Sequence, residues 1–365
     1  MKVRLILAGL PLFIWAFAPV AWGQATPGGS EFQVNSYTTG SQTRPGVCSD
    51  AAGNSVVVWL SGSGAQDAVI GRRYFLGNPL GPEFVVGTAP ENSSPRVSCD
   101  AGGDFVVVWE GNSGIFAQRY DSTGAALGSQ FQVNTFTSGS QQDPAVASDA
   151  SGNFIVVWDG SGSGDANGVF AQRYDSTGAA VGTEFRVNTT TASSQSAPAV
   201  SCDASGGCVV AWDGNGGADN SGVFAQRYDS TGAAVGTEFQ VNTFTAFAQR
   251  DAGVCSDAAG DFVVVWQSGG DQDGNKTGIF AQRYDNTGAP TGPEFQVNSY
   301  TKNYQVMPAV ACDTSGNFVV AWSSKIEDTS GYGIFSRRYD STGTAIGNEF
   351  RVNSHLRRDQ TRPAI

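Results

Sequence analysis

The chain has 365 residues, a formal net charge of −12, 48 glycines and 11% aromatic residues. So acidic a chain lacks the basic surface that nucleic acid requires, and it has no electrostatic pull toward anionic lipid. Its single histidine, His355, leaves the whole molecule only one candidate base for Ser-His-Asp or Cys-His chemistry.

Taken from the start, Lys2 and Arg4 head an apolar run from Leu5 to Ala21, and Ala21-Trp22-Gly23 places small residues before Gln24. A basic head, an apolar run and a small-residue exit read as a secretory signal peptide over residues 1–23. The run sits at the short end for a membrane span. The expected mature chain, 24–365, has no later stretch apolar enough to cross, and it is expected outside the cytoplasm, extracellular or periplasmic. Glu31-Phe32-Gln33-Val34-Asn35 is an isolated strand-like segment. Six units then follow, over residues 44–87, 95–134, 144–188, 198–242, 252–298 and 308–353. Gln360-Thr361-Arg362-Pro363-Ala364-Ile365 repeats Gln42-Thr43-Arg44-Pro45-Gly46-Val47, the start of a unit. Trp59, Trp109, Trp158, Trp212, Trp266 and Trp322 mark the period, roughly 50 residues, the range of propellers, solenoids and arrays.

Each unit holds four strand-like pieces. The first opens on proline in most units, as in Pro144-Ala145-Val146, and proline is tolerated at a strand's first residue. The second is an unbroken apolar run ending in the tryptophan, such as Phe105-Val106-Val107-Val108-Trp109, which reads as buried on both faces. The third is Gly-Ile/Val-Phe-Ala-Gln-Arg-Tyr. The fourth, Glu-Phe-Gln/Arg-Val-Asn, alternates and reads as half exposed. Polarity therefore rises along the order of the four pieces, from the first to the fourth. That gradient matches a propeller blade, whose inner strands lie between neighbouring blades while the outermost meets solvent. The predicted fold is all-β, a single β-propeller of about six four-stranded blades. A truncated seven-blade ring and a β-solenoid or array are the alternatives. In a six-blade ring, residues 31–35 could replace Glu349–Asn353 as the outer strand of the last blade and so clasp the ring.

The motifs Phe-Val-Val-Val-Trp, Phe-Ala-Gln-Arg-Tyr-Asp and Glu-Phe-Gln-Val-Asn resemble a tandem repeat of exported bacterial proteins, itself similar to propeller repeats. The resemblance covers residues 31–365 and implies a surface or secreted role. It brings no catalytic residues.

Six cysteines in an exported chain are expected to form disulfides. Cys202 and Cys208 flank one hairpin turn. Cys48 and Cys255 take one slot of the first strand, and Cys99 and Cys312 the adjacent slot, which points to the opposite face. The expected pairs are Cys48–Cys99, Cys202–Cys208 and Cys255–Cys312.

Candidate functional residues lie mostly in loops. His355 occupies a column otherwise filled by Tyr37, Phe136, Phe244 and Tyr300, so it reads as a loop residue rather than a catalytic base. Those four aromatics, in loops joining successive blades, are the expected ligand-binding residues for a carbohydrate or protein partner. Asp271, Asp273 and Asn275 alternate in a loop where Gly274 permits a curl, and calcium is bound by such oxygen ligands. Asp159, Asp165 and Asn167 form a wider-spaced candidate, and Asp213-Gly-Asn215 with Asp219 lies in the equivalent loop of the next unit. The repeated arginines (Arg73, Arg119, Arg173, Arg227, Arg283, Arg338) and glutamates (Glu83, Glu184, Glu238, Glu294, Glu349) read as structural, as cross-strand ion pairs or hydrogen-bonded arginines. Glu110, Glu327 and Asp328 are acids that do not repeat. A binding or structural surface module is the expected function. A propeller glycoside hydrolase or lyase is the alternative, and it would require such irregular acids to converge on the axis.

Overall fold

The computed structural model describes residues 4–5, 30–62, 67–216, 221–325, 327, 331–355 and 359–365. Most of the expected signal segment, together with Asp219 and Asp328, lies outside the described residues. Six antiparallel sheets follow one another along the chain. Blade three is representative, with strands Gln141–Ser148, Phe154–Gly162, Asp165–Tyr174 and Ala180–Arg186 paired in that order. Blade one runs Ser41–Ser49, Asn54–Gly62, Asp67–Phe75 and Phe84–Ala89, with Asn78–Pro79 as an extra short pairing on its third strand. Blade six ends on Phe350–Arg351, which pairs with Tyr332–Tyr339. The molecule is a six-bladed β-propeller, and the solenoid and array alternatives fall away.

The tryptophans are the largest fully buried side chains. Each blade offers valines and alanine to the next, which answers with aromatics. Val106, Val108, Ile115 and Ala117 of blade two meet Phe154, Val156, Trp158 and Phe170 of blade three. This is why the second strand carries no polar alternation: one face packs on the preceding blade and the other on the following one. The Trp158 indole N–H donates to the Gln141 side-chain oxygen at 2.8 Å, and Trp59 and Trp212 do the same to Gln42 and Gln195.

The repeated polar residues stitch the blades together. Arg119 donates to the carbonyls of Ser176 and Thr177, in the turn of the next blade. Arg73, Arg173, Arg227 and Arg283 make the same clamp one blade further on. The glutamates reach the other way. Glu184 accepts from the Thr135 N–H at 2.6 Å, in the loop leaving the previous blade. Arginine and glutamate thus take different partners rather than pairing with each other.

The cysteines are bonded as Cys48–Cys99, Cys202–Cys208 and Cys255–Cys312. Disulfides form and persist in oxidising compartments. Among the described residues no helix is long and apolar enough to cross a membrane.

The expected clasp is not made. Phe350–Arg351 keeps the outer place of blade six, while Val34 packs on Val57, Trp59 and Tyr74 of blade one. The Tyr74 hydroxyl donates to the Val34 carbonyl at 3.0 Å, the bond that Tyr339 makes to Val297 at the junction of blades five and six. The N-terminal strand therefore stands before blade one, not on the rim of blade six.

Candidate functional site

The first strands of blades one to six pack side by side around the axis. Five of them break register near their start. At each break one residue takes a left-handed backbone: Arg44 (φ 55°), Asp143 (47°), Ala197 (50°), Asp251 (55°) and Met307 (56°). Such a conformation is costly for a residue other than glycine and clusters where function needs it. A bulge re-aims a side chain, and here the result is a ring of unlike residues at the axial end of each blade.

A second ring adjoins it, formed by the residue after each tryptophan: Leu60, Glu110, Asp159, Asp213, Gln267 and Ser323. The acids fall in three consecutive blades. Asp159 is only 4% exposed. It accepts from the Gln142 amide at 3.1 Å and from the Ala197 N–H at 3.3 Å. Burial, then the neighbouring Asp143 charge, pushes its pKa up to about 7. Burial and Asp143 also raise Glu110, to about 6, against the opposing pull of Arg44. Asp213 is pushed well above the carboxylate range by burial, although it accepts from the N–H groups of Asp251 and Ala252 at 2.8 and 3.2 Å. Asp251 is raised by burial, with Arg362 opposing.

Basic groups face the same space. Arg44 donates to the Ser94 hydroxyl at 2.6 Å and to the Asn92 side chain at 3.2 Å. The Arg44 and Arg96 pKa values are lowered first by burial, and both groups feel the charges of Arg362 and Asp143. Residues from blades one, two, three and four and from the C-terminal segment thus meet at one axial funnel. Two clefts adjoin these residues. One, of about 700 Å³, is lined by Arg44, Asp67, Glu91, Asn112 and Arg362. The other, of about 440 Å³, is lined by Glu110, Ser113, Gln132, Thr137 and Gln141.

The aromatics expected to bind ligand sit one to a blade junction. Tyr37 is 46% exposed and Phe136 38%, while Phe244 and Tyr300 are half-buried. Their carbonyls, not their rings, are fixed by the fold: each accepts from the side-chain amide of the preceding repeat asparagine, at 2.7–2.9 Å. The His355 carbonyl does the same with Asn353, so the one histidine follows the aromatic column in its backbone role. Sequence reading missed Phe247, the most exposed of the large apolar side chains at 69%. It covers Gly270, where a Cβ would collide with its ring. Its signal was a departure from the Ser or Gly that precedes the repeat glutamine in earlier units.

In the candidate calcium loops the carboxylates face separate donors. Asp271 accepts from the Lys276 N–H. Asp273 accepts from the Asn275 N–H at 3.0 Å and the Asn298 amide at 3.4 Å, while the Asn275 side chain accepts from the Asn303 N–H. Asp165 accepts from the Asn167 N–H and the Asn188 amide, apart from the partners of Asp159. No group of three or more His, Cys, Asp or Glu is arranged to hold a metal among the described residues.

The fold and funnel define a class, a six-bladed propeller with an axial charged site at its loop face. No family model and no curated protein matches the sequence. Solved structures do match the fold. A protein of unknown function from Dyadobacter fermentans is 12% identical with a TM-score of 0.53, over 81% of this chain and 93% of that one. The α-L-arabinofuranosidase Arb93A from Fusarium graminearum is 8% identical with a TM-score of 0.50, over 79% and 90%. The polysaccharide lyase Uly1 is 11% identical with a TM-score of 0.50, over 93% and 86%.

Proposed function

We propose that this protein is an exported carbohydrate-binding propeller whose ligand enters the axial funnel from the loop face. The observation that carries the reading is the convergence of Glu110, Asp143 and Asp159 with Arg44 and Arg362, at columns where the repeat does not repeat. Carboxylates, amides and guanidinium groups in a cleft are the polar set that orients hydroxyl-rich ligands, and the joining-loop aromatics supply apolar faces. Two of the matched propellers carry carbohydrate-active names, which agrees with this class. The test is a glycan array followed by calorimetry. Glu110→Gln with Asp143→Asn should abolish binding of any glycan hit. The triple variant Phe136→Ala/Phe244→Ala/Tyr300→Ala should weaken binding while leaving the melting temperature nearly unchanged. A glycan that binds the Glu110/Asp143 variant as well as the parent overturns the funnel as the site.

One observation favours a second reading, cleavage of the bound glycan. A carboxyl held half-protonated near neutrality beside an ionisable partner is the arrangement that general acid catalysis of glycoside hydrolysis uses. Asp159 would be the acid, with Glu110 or Asp143 as its partner. Release of reducing sugar by the parent but not by Asp159→Asn is the result this reading requires.

A further inference from the structure

The repeat supplies its own control for which side chains the fold needs. Where the loop joining blades five and six meets the hairpin of blade six, several columns depart from it together. The Lys325 N–H donates to the Tyr304 carbonyl at 2.9 Å, the bond that Ser161 makes to Ser140 and Gly269 to Ala248. The Gln305 side-chain amide donates to the Lys302 carbonyl, as Gln42, Gln195 and Gln249 do to Thr39, Ala192 and Ala246. Tyr332 pairs with Lys325. Its carbonyl accepts from the Gln360 N–H, as those of Asn167 and Ser221 accept from Gln195 and Gln249. Small or neutral polar residues meet these backbone contacts in the other blades, so the fold does not require tyrosine or lysine at these positions.

The charges are as uneven as the shapes. Lys276, Lys302 and Lys325 are every lysine of the sequence after Lys2, on a molecule of net charge −12. The Asn303 N–H donates to the Asn275 side chain at 3.1 Å, which ties together the two loops that carry Lys302 and Lys276. The Lys276 ammonium lies 4.6 Å from the centre of the Tyr304 ring, and that of Lys325 lies 5.3 Å from it and 5.7 Å from the Tyr332 ring. An aromatic face attracts a cation, so Tyr304 holds two like charges near one another. The nearby carboxylates accept from backbone N–H groups, Asp271 from that of Lys276 and Asp359 from that of Tyr332 at 3.0 Å. Among the described residues no hydrogen bond or ion pair engages the three ammonium groups.

This patch adjoins the funnel. Ser323, in the ring that follows the tryptophans, precedes Lys325 by two residues in the strand Phe318–Lys325, about 7 Å along it. Residues two apart on a strand share a face. Met307, in the ring of left-handed residues, follows Tyr304 by three. The two places differ in kind. The arginines of the funnel stand among carboxylates, Arg44 near Asp143 and Glu110, and Arg362 near Asp251. The lysines stand against aromatic rings.

We propose that the lysine and tyrosine patch is a subsite for the anionic groups of an acidic glycan, sulfate or carboxylate carried on sugar. The inference rests on the reading of the protein as carbohydrate-binding, and adds the charge of its ligand. An ammonium is a hydrated point charge with three rotatable donors, suited to an anion held at the surface in more than one orientation. Nucleic acid or an anionic lipid surface brings many charges against an acidic molecule and is repelled by the rest of it. A sugar chain sets its few charges on the lysines and its hydroxyls on the amides and carboxylates of the neighbouring funnel.

The test compares dextran, dextran sulfate and carboxymethyl dextran of equal length by calorimetry at low salt. At least one charged dextran should bind roughly tenfold or more tighter than dextran, the scale of three exposed ion pairs, and the better of the two identifies the group. Salt at about 0.5 M should erase the difference. Lys276→Ala/Lys302→Ala/Lys325→Ser should lose the preference with little change in melting temperature, because Ala166, Ala192 and Ser161 fill those columns in other blades. Arginine at all three positions should keep it, and Tyr304→Ser should weaken it by releasing the two ammonium groups. Charged dextrans that bind no better than dextran, or a triple lysine variant that keeps the preference, overturn the proposal. So does a single-stranded DNA oligomer of equal charge that binds the parent as tightly as the charged dextran. The triple lysine variant should bind any neutral glycan hit as the parent does. Neutral binding without acidic preference therefore leaves the proposed function standing while this inference falls, and binding of no glycan at all removes both.

Discussion

Asp159 shows how a single side chain couples the funnel to pH. Its folded-state pKa of about 7 lies above the ordinary 3.8, so between those values the folded state binds more protons than the unfolded state. Stability then falls as pH rises through that window. The penalty is complete above pH 7 and amounts to a few kcal/mol, on the order of 1.4 kcal/mol per pKa unit. Asp159→Asn should flatten the dependence, so that the gap between melting temperatures at pH 5 and pH 8 shrinks. An unchanged gap would remove Asp159 as its source. Trp158 is the opposite case, buried because it is apolar and anchored through its one polar atom to Gln141. Trp158→Ala should cost about 3–5 kcal/mol in chemical denaturation. Gln141→Leu should cost about 1–3 kcal/mol, because it strands a buried indole N–H.

The strand and the turn are where sequence was most informative. Periodic tryptophans, unbroken valine runs and alternating outer strands together favoured propeller blades over a solenoid or array, and the cysteine slots follow from strand parity. The turns were less legible. Asp, Asn and Gly suit calcium and turns alike, and in the 271–275 loop the carboxylates go to backbone N–H groups. The funnel was not legible as a site, because Asp143, Asp159 and Arg362 have no local spacing in common. They meet only because separate blades bring their bulges to one axis. The arginine clamp was half legible: the column was evident, but its partner lies one blade away. This clamp predicts that Arg173→Lys weakens the fold by about 1 kcal/mol, since an ammonium is a point donor and cannot span the Ser230 and Thr231 carbonyls as a planar fork does. Arg173→Lys matching the parent in urea titration would show that charge alone, not the fork, matters.

At the scale of the molecule, the disulfides are unevenly placed. Cys48–Cys99 ties blade one to blade two and Cys255–Cys312 ties blade five to blade six, while Cys202–Cys208 closes only a hairpin within blade four. Blades three and four are joined to their neighbours by packing and hydrogen bonds alone. The consequence is mechanical. Stretched from its two termini in an optical trap, the chain cannot pay out the segments enclosed by the two long bridges. With separations of 51 and 57 residues, these hold back roughly 180 Å and 200 Å of contour at about 3.5 Å per residue. The oxidised molecule should therefore stop short of the reduced one by the sum of those lengths, plus roughly 20 Å for the six-residue separation of Cys202–Cys208. Apart from that hairpin turn, the middle of the ring should contribute all of its contour in either redox state.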